Sequence, residues 1–549
     1  MKRSREEENG AERPAKVRRV SNIDRLSRLS DELLIRILMF LPVSSLLTSQ
    51  RISKKYSRLT VDSELWKAAY YHTFVRPRAS RIPGPKSHDR LHYSSRLSKW
   101  LGDGALVKQG ANTKWKQQYR LRHNWSQGKC AVSEIVVSEQ PPEPPLLVMM
   151  SNGTIFAADS MSGLRAWSLK GERELLASIS LGVPASETLL QPVSMAIDSN
   201  SGLGDGRNET VVLSFEDGSF SIFALCRDRK TFSILFTHPP SSNGMVSALA
   251  MSWPYLLTMT EDHLLSLYAF AEVQDTAIVL EPPRLLYSLR SHTAWPPVSL
   301  SLRTTATSMT AAIAYSLPTY LSGWTVGVQE LNLSHKGELL GSRLATAADE
   351  HSFTLSTYRS SSSLSSRSSS PGTSREPSLL SPPRNSKPTS MSYSHPYLLV
   401  AHPDNTLSLY LVKSTDSTLS ISSGNRLWGH TSAISGAHVG MRGKAVSVSR
   451  FGDELRVWDL EGGTASFANR RRFRDGKLSV RVQPSRATGK LQDSHDEGVE
   501  STSGLKFALD QKFDDSSVNR GWVGFDEHNV LVLKEKKEGG QALVVYDFT

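Results

Sequence analysis

Cys130 and Cys226 are the only cysteines in 549 residues. A disulfide framework needs several pairs and a structural zinc site four ligands, so a secreted knot and a zinc finger are both excluded and a reducing compartment fits best. The chain has no His-Glu-x-x-His, Cys-x-x-Cys, Gly-x-Ser-x-Gly or Gly-rich phosphate loop. Nothing therefore arranges a nucleophile, a metal or a cofactor in a known pattern, and the expectation is a non-enzyme without cofactors. Charge is the remaining chemistry. The net charge is +12, and Arg51 to Lys129 carries 18 Lys and Arg against 4 Asp and Glu, so the rest of the chain is near neutral. Such a stripe can neutralise phosphates, but it is equally the solvated face of a helical region or a surface for an acidic protein. Lys2-Arg3 and Lys16-Val17-Arg18-Arg19 have the spacing of a two-part nuclear import signal. The expected location is the nucleus, the cytoplasm or both.

The elements that must carry these groups differ along the chain. Hydrophobic residues make up 38% and charged residues 21%, a globular composition diluted by polar segments. The first residues lack a signal peptide's apolar core and no long uncharged apolar window occurs, so a soluble intracellular protein without a membrane span is expected. Residues 1–22 are charged, poor in apolar side chains and read as a disordered basic tail. Over 23–71 the pattern turns helical, with Leu33, Leu34, Ile37, Leu38 and Leu41 recurring on one face. Ser30 can cap the first helix, Asp31 and Glu32 suit its positive end, and Pro42 stops it. Ser44 is expected to start a second helix carrying Leu46, Leu47 and Ile52, and a third short element holds Leu65 and Trp66. Three helices in about fifty residues are near the minimum for an independent core, which suggests docking.

Leu26 to Tyr70, with Asp31-Glu32-Leu33-Leu34, the Leu41-Pro42 break and the late Leu65-Trp66, resembles an F-box. This is the helical module that attaches substrate receptors to the Skp-type linker of cullin-RING ubiquitin ligases. The family usually has proline where Ser30 stands, and a capping serine does related work. The resemblance implies that Leu29, Leu33, Ile37, Leu41, Pro42, Leu46, Leu47 and Trp66 touch or support the linker surface.

Residues 72–129 read as a basic linker, broken by Pro77, Pro83 and Pro85, then helical around Trp115, Tyr119 and Trp125. Asn124, Trp125 and Gly128 match an Asn-Trp-x-x-Gly that precedes the first strand in F-box proteins carrying a propeller, which reads as a stiff stalk. From Cys130 to the C-terminus short apolar runs alternate with Gly, Asn, Asp and Ser turns, an all-β repeat. Gly429-His430, followed after about 27 residues by Trp458-Asp459, resembles one blade of a WD-repeat propeller. By that resemblance His430, Ser447 or Ser449, Trp458 and Asp453 hydrogen-bond within the blade. Copies of its third strand align at Leu164–Leu169, Phe220–Leu225, Leu265–Phe270, Thr325–Leu331, Leu407–Val412, Leu455–Leu460 and Leu543–Phe548, predicting seven blades. The last sheet is then one strand short, and Cys130 to Val137 is available to complete it and close the ring. The blades average about 60 residues, so insertions are required. One is the Ser-rich segment 352–392, expected to be disordered, with Ser370-Pro371 and Ser381-Pro382 as kinase acceptors. Another lies between Arg470 and Asn519, where strands cannot be assigned.

The expected fold is thus mainly β, a seven-bladed WD-like propeller over 130–549, preceded by a small helical F-box and a helical linker. This order resembles the F-box/WD-repeat substrate receptors of SCF ubiquitin ligases, of the fungal type. The resemblance implies a Skp-type linker and cullin as partners, a protein substrate held by the propeller, and no catalytic residue. In that family rim arginines grip phosphorylated segments, and Arg450 lies one residue from such a position, making it the substrate-binding candidate. The alternative is a nuclear WD-repeat scaffold or nucleic-acid-associated protein that acts in no ligase.

Overall fold

The computed structural model describes residues 26, 29–75, 114–138 and, from 146 to 549, all but 170, 172, 182–189, 199–207, 272–279, 292–294, 320–322, 348–385, 416, 441–442, 451–453, 461–477, 485–521 and 536–539. The basic tail with its import signal, most of the linker, Asp453, and nearly all of both large insertions lie outside the described residues. The chain divides into a helical unit that ends at Arg120 and a β unit that begins, in the main, at Leu121.

Among the described residues, the helical unit holds four short helices, α1 (Asp31–Leu38), α2 (Val43–Ser49), α3 (Lys54–Leu59) and α4 (Ser63–Tyr70), with a π-helical turn over Tyr71–Val75. Ser30 caps α1, accepting from the Leu33 N–H at 3.5 Å. Ser53 and Asp62 cap α3 and α4 in the same way, satisfying N–H groups that have no partner inside the helix. Two expectations are corrected. The second helix starts at Val43 rather than at Ser44, because Pro42 (φ −64°, ψ 155°) is its extended N-cap and leaves the next residue free to enter the helix; the first helix has already ended at Leu38. A separate α3 also exists, so Ile52 lies in the turn beyond α2; its Lys- and Ser-rich stretch hid the single core leucine, Leu59, that holds it. Leu34, Leu38, Leu46, Leu59, Leu65, Trp66 and Tyr70 form the core, joined by Trp115 from α5 (Trp115–Gln127). The Trp66 indole N–H donates to the Thr60 carbonyl at 2.7 Å, and its ring meets Tyr119 edge-on at 5.5 Å. No helix among the described residues is long and apolar enough to cross a membrane.

In the β unit each of seven sheets is a blade. Their third strands are Gly163–Ser168, Phe220–Cys226, Leu264–Ala269, Gly323–Ser334, Leu407–Ser414, Leu455–Asp459 and Gln541–Asp547, where the seven aligned segments lie. Neighbouring strands in a blade are antiparallel, so the second-to-third turns and the links between blades open on one end of the ring. The other turns open on the opposite end. Seven apolar clusters join consecutive blades, the last joining Leu531, Leu533, Leu543 and Val545 of blade 7 to Val148, Ile155 and Trp167 of blade 1. Central strands therefore bury both faces. Thr154–Asp159 is buried at every position and shows no period of two.

Lys129–Ser138 pairs antiparallel with Gln541–Asp547, from Ala131 opposite Asp547 to Ser138 opposite Gln541, so the first strand of the unit completes the last blade. A second clasp lies outside it. Gln483–Pro484, leaving blade 6, pairs in parallel with Lys129 and Cys130 as a fifth strand, and the Gln483 N–H donates to the Gly128 carbonyl at 2.7 Å. Gly128 turns the chain at φ +68°, and a β-carbon there would collide with the Arg481 carbonyl. Gly128→Ala is expected to cost about 2 kcal/mol of stability in urea unfolding; a loss under about 0.5 kcal/mol would show that the clasp tolerates displacement.

Candidate functional site

The helical unit carries two leucine-rich stripes on one short helix. Leu34 and Leu38, one turn apart, enter the core. Leu33 and Ile37, rotated by one residue, are 52% and 46% exposed. The single apolar face read from the pattern is thus split, because eight residues of helix can bury only one stripe against three other short helices.

Of the eight residues assigned to linker docking, Leu33, Ile37, Leu41, Pro42 and Leu47 are exposed and Leu29 is partly buried. Leu46 and Trp66 are each 2% exposed, so they can only support the surface from beneath. Sequence reasoning passed over Met39, Phe40 and Ile52, all exposed. Their signal was hidden: with the first helix read as running to Pro42 and Ile52 placed in the second, none of the three stood apart from the helical pattern. Asp31 holds Lys55 at 3.3 Å and also pairs with Arg58, a bridge half in water and worth little.

In the β unit the later residues of α5 pack against blade 7. The Asn124 amide donates to the Phe548 carbonyl and the Trp125 indole N–H to the Glu527 carbonyl, both at 2.9 Å. The Trp125 ring stacks on Phe548 at 4.1 Å, and Lys444 Nζ lies over the Trp125 ring, 4.3 Å from its centroid. These residues anchor the closing blade. Beneath them burial pushes the Cys130 thiol up to about 12, with Asp547 acting in the same direction, so it is a packed thiol at neutral pH.

Blade 6 brings together the hydrogen-bonding residues singled out in sequence. His430 Nε2 lies 2.5 Å from Ser447 Oγ, which also accepts from the Trp458 indole N–H at 2.7 Å. Ser447, not Ser449, is the shared partner; Ser449 Oγ instead accepts from the Glu454 N–H at 3.0 Å. Glu454 stands 3.5 Å from His430 Nδ1 and accepts from the Thr431 N–H at 2.9 Å, a carboxylate that the sequence reading did not single out. Its oxygens also hold Arg456 at 2.7 Å. Ser447→Ala would leave two buried groups short of a partner and is expected to cost about 2 kcal/mol, read by urea melts; an unchanged midpoint would mean that the blade is not held this way.

Arg450 follows the second strand of the same blade, Lys444–Ser449, is exposed, and donates its N–H to the Ala433 carbonyl at 2.7 Å. It lies on the end of the ring where the second-to-third turns and the links between blades gather. Among the described residues no three His, Cys, Asp or Glu side chains come together as metal ligands would.

The family described as F-box-like matches residues 26–72, and the family described as F-box protein pof12 beta-propeller matches residues 130–549. No curated protein matches in sequence. Among solved structures, U3-55K is 10% identical, with 76% of this chain and 98% of that chain covered at a TM-score of 0.40. Sqt1 of Saccharomyces cerevisiae is 8% identical over 75% and 97% of the two chains, with a TM-score of 0.37. The WD40 propeller domain of Doa1 is 10% identical over 76% and 96%, with a TM-score of 0.35. F-boxes generally bind the Skp1 linker and propellers bind proteins, and the two together form a substrate-receptor architecture, typically a non-catalytic adaptor. With an F-box-like helical unit and a seven-bladed ring closed by its own first strand, the chain belongs to the F-box protein pof12 beta-propeller family.

Proposed function

We propose that this chain is the substrate-recognition subunit of an SCF ubiquitin ligase. Its helical unit docks a Skp-type linker and through it a cullin, and its propeller holds a protein substrate for ubiquitination and proteasomal degradation. The observation that carries the reading is the exposed Leu33 and Ile37 stripe on an F-box-like unit whose core is already filled by Leu34 and Leu38. A water-facing apolar stripe of this kind is stabilised by a partner. The chain itself performs no bond-making in this role: it raises the effective concentration of substrate lysines near a ubiquitin-loaded enzyme.

Purification of the full-length chain from its cells should bring down linker and cullin, and Leu33→Ala with Ile37→Ala should release both while the propeller stays folded. If neither protein copurifies and the double variant alters no association, the ligase reading collapses and a scaffold role is left. On the substrate side, the exposed Arg450 supports a contact with an acidic or phosphorylated segment. Arg450→Glu should then reduce substrate capture at least about tenfold; unchanged capture would remove this residue from the site.

A further inference from the structure

The outermost strand of blade 4, Leu339–Thr346, has a free edge and an apolar face turned to water. Leu340 and Leu344 are each 61% exposed, and Ser342 and Thr346 in the same row are exposed as well. No exposed charge sits within the strand. Its one cation, Arg343, turns the other way, to Glu330 and to Ser414 of blade 5. The ladder to the third strand is regular from Thr346 to Gly341 and slips once, at Leu340. Among the described residues no backbone hydrogen bond from another segment reaches the free edge over 340–346.

Such an edge is a template for a further strand, and the other six blades blunt theirs. Blade 1 ends on a strand of five residues and blade 6 on one of three. In blade 2 the Leu235 carbonyl of the outer strand accepts from the Leu280 N–H at 2.8 Å. Exposed Arg284 and Arg290 bracket the outer strand of blade 3. Blade 5 breaks its outer strand into Leu419–Ile421 and Asn425–Leu427. Blade 7 is clasped by Gln483–Pro484 and carries exposed Glu134 on its outer strand. Blade 4 has none of these devices.

The chain itself leaves this edge. Ala347 is buried, its N–H donates to the Val326 carbonyl at 2.9 Å, and its carbonyl accepts from the Thr325 hydroxyl at 3.1 Å, so the strand ends by turning inward. The sequence over 348–385 is rich in serine and includes Pro371, Pro377, Pro382 and Pro383, which a strand ladder does not hold. A second copy of the chain fits, because the strand is self-complementary. Antiparallel pairing about a two-fold axis at Ser342 sets Leu340 opposite Leu344 of the second copy and Leu344 opposite its Leu340. The nearest exposed charges, Lys336 and Glu338, lie in the turn before the strand, and Glu338 falls opposite Thr346, so no like charges meet. Each copy spends its edge once, which closes the assembly at two.

We propose that Leu339–Thr346 is a self-association edge that joins blade 4 of two copies into one continuous sheet. The inference does not depend on the receptor reading. One strand per copy is a small joint, so a dissociation constant of about 1–50 µM is expected. Sedimentation velocity of the full-length chain between about 1 and 100 µM should show a monomer–dimer equilibrium. Leu344→Lys should raise the dissociation constant at least about tenfold with an unchanged melting temperature, since it places a charge on the edge without touching the core. In a Cys226→Ser background, Ser342→Cys should form a disulfide-linked dimer on mild oxidation, because residues on the axis face each other with Cα atoms about 5 Å apart. Ser288→Cys, exposed on the outer strand of blade 3, should not.

A chain that stays monomeric at about 100 µM overturns the proposal. So does a dimer that Leu344→Lys leaves intact and Ser342→Cys does not link, which places the contact elsewhere. If Leu344→Lys lowers the melting temperature, the Ser342→Cys link decides alone. A dimer that forms only after deletion of 348–385 assigns the edge to that segment and also overturns the proposal.

Discussion

Glu330→Ala is expected to destabilise the propeller by about 3–5 kcal/mol, the largest effect of any single change considered. The Glu330 carboxylate is fully buried in the third strand of blade 4, 2.8 Å from Arg303 and 3.0 Å from Arg343. Ser414 of blade 5 donates to it at 2.6 Å, and Arg343 reaches on to the Ser414 hydroxyl and the Thr415 carbonyl. One carboxylate thus compensates two guanidiniums and ties two blades. Removing it strands the Arg343 charge in low dielectric, whereas losing Asp31 from its half-wet bridges should cost under about 1 kcal/mol. Urea unfolding of the two variants side by side measures the contrast, and a Glu330→Ala chain as stable as Asp31→Ala would refute it.

Acid should weaken blade 5 through His402. Its ring is 5% exposed, with Nε2 2.8 Å from Ser408 Oγ, and burial holds the imidazole down to about 4, helped by Arg426 and opposed by Asp404. In the unfolded chain the same group titrates near 6.5. Between these values the unfolded chain binds a proton that the native blade refuses, so stability rises with pH there. The contribution is fully present above pH 6.5 and is lost as the pH falls through the folded value, about 3 kcal/mol in all. Unfolding midpoints at pH 7 and pH 4.5 should separate the unaltered chain from His402→Gln, whose slope lacks this component. Parallel pH dependences of the two would rule out His402 as the source.

The two halves of the chain were legible to different degrees. Turn residues and the Leu164–Leu169 type of repeat located all seven third strands, because each repeat faces the same packing demands from its neighbours. Ring closure by Cys130 to Val137 followed from counting strands, since an open edge is costly wherever a ring can close. The fifth strand, Gln483–Pro484, escaped notice: two residues have no period, and their pairing depends on a strand more than three hundred residues away. Glu330 was equally hidden, because a single carboxylate among strand residues gives no sign of which cations will meet it.

By itself the amino-acid order determined that a short helical unit precedes a β repeat, the blade number, and that His430 and Trp458 share a serine in blade 6, since spacing and composition act over a few neighbours. Only the tertiary structure decided which leucines of α1 face water, that Phe40 projects, and that Ser447 rather than Ser449 joins His430 to Trp458. Those outcomes turn on competition for one buried face or one lone pair, and such competition is resolved only when distant segments arrive and pack.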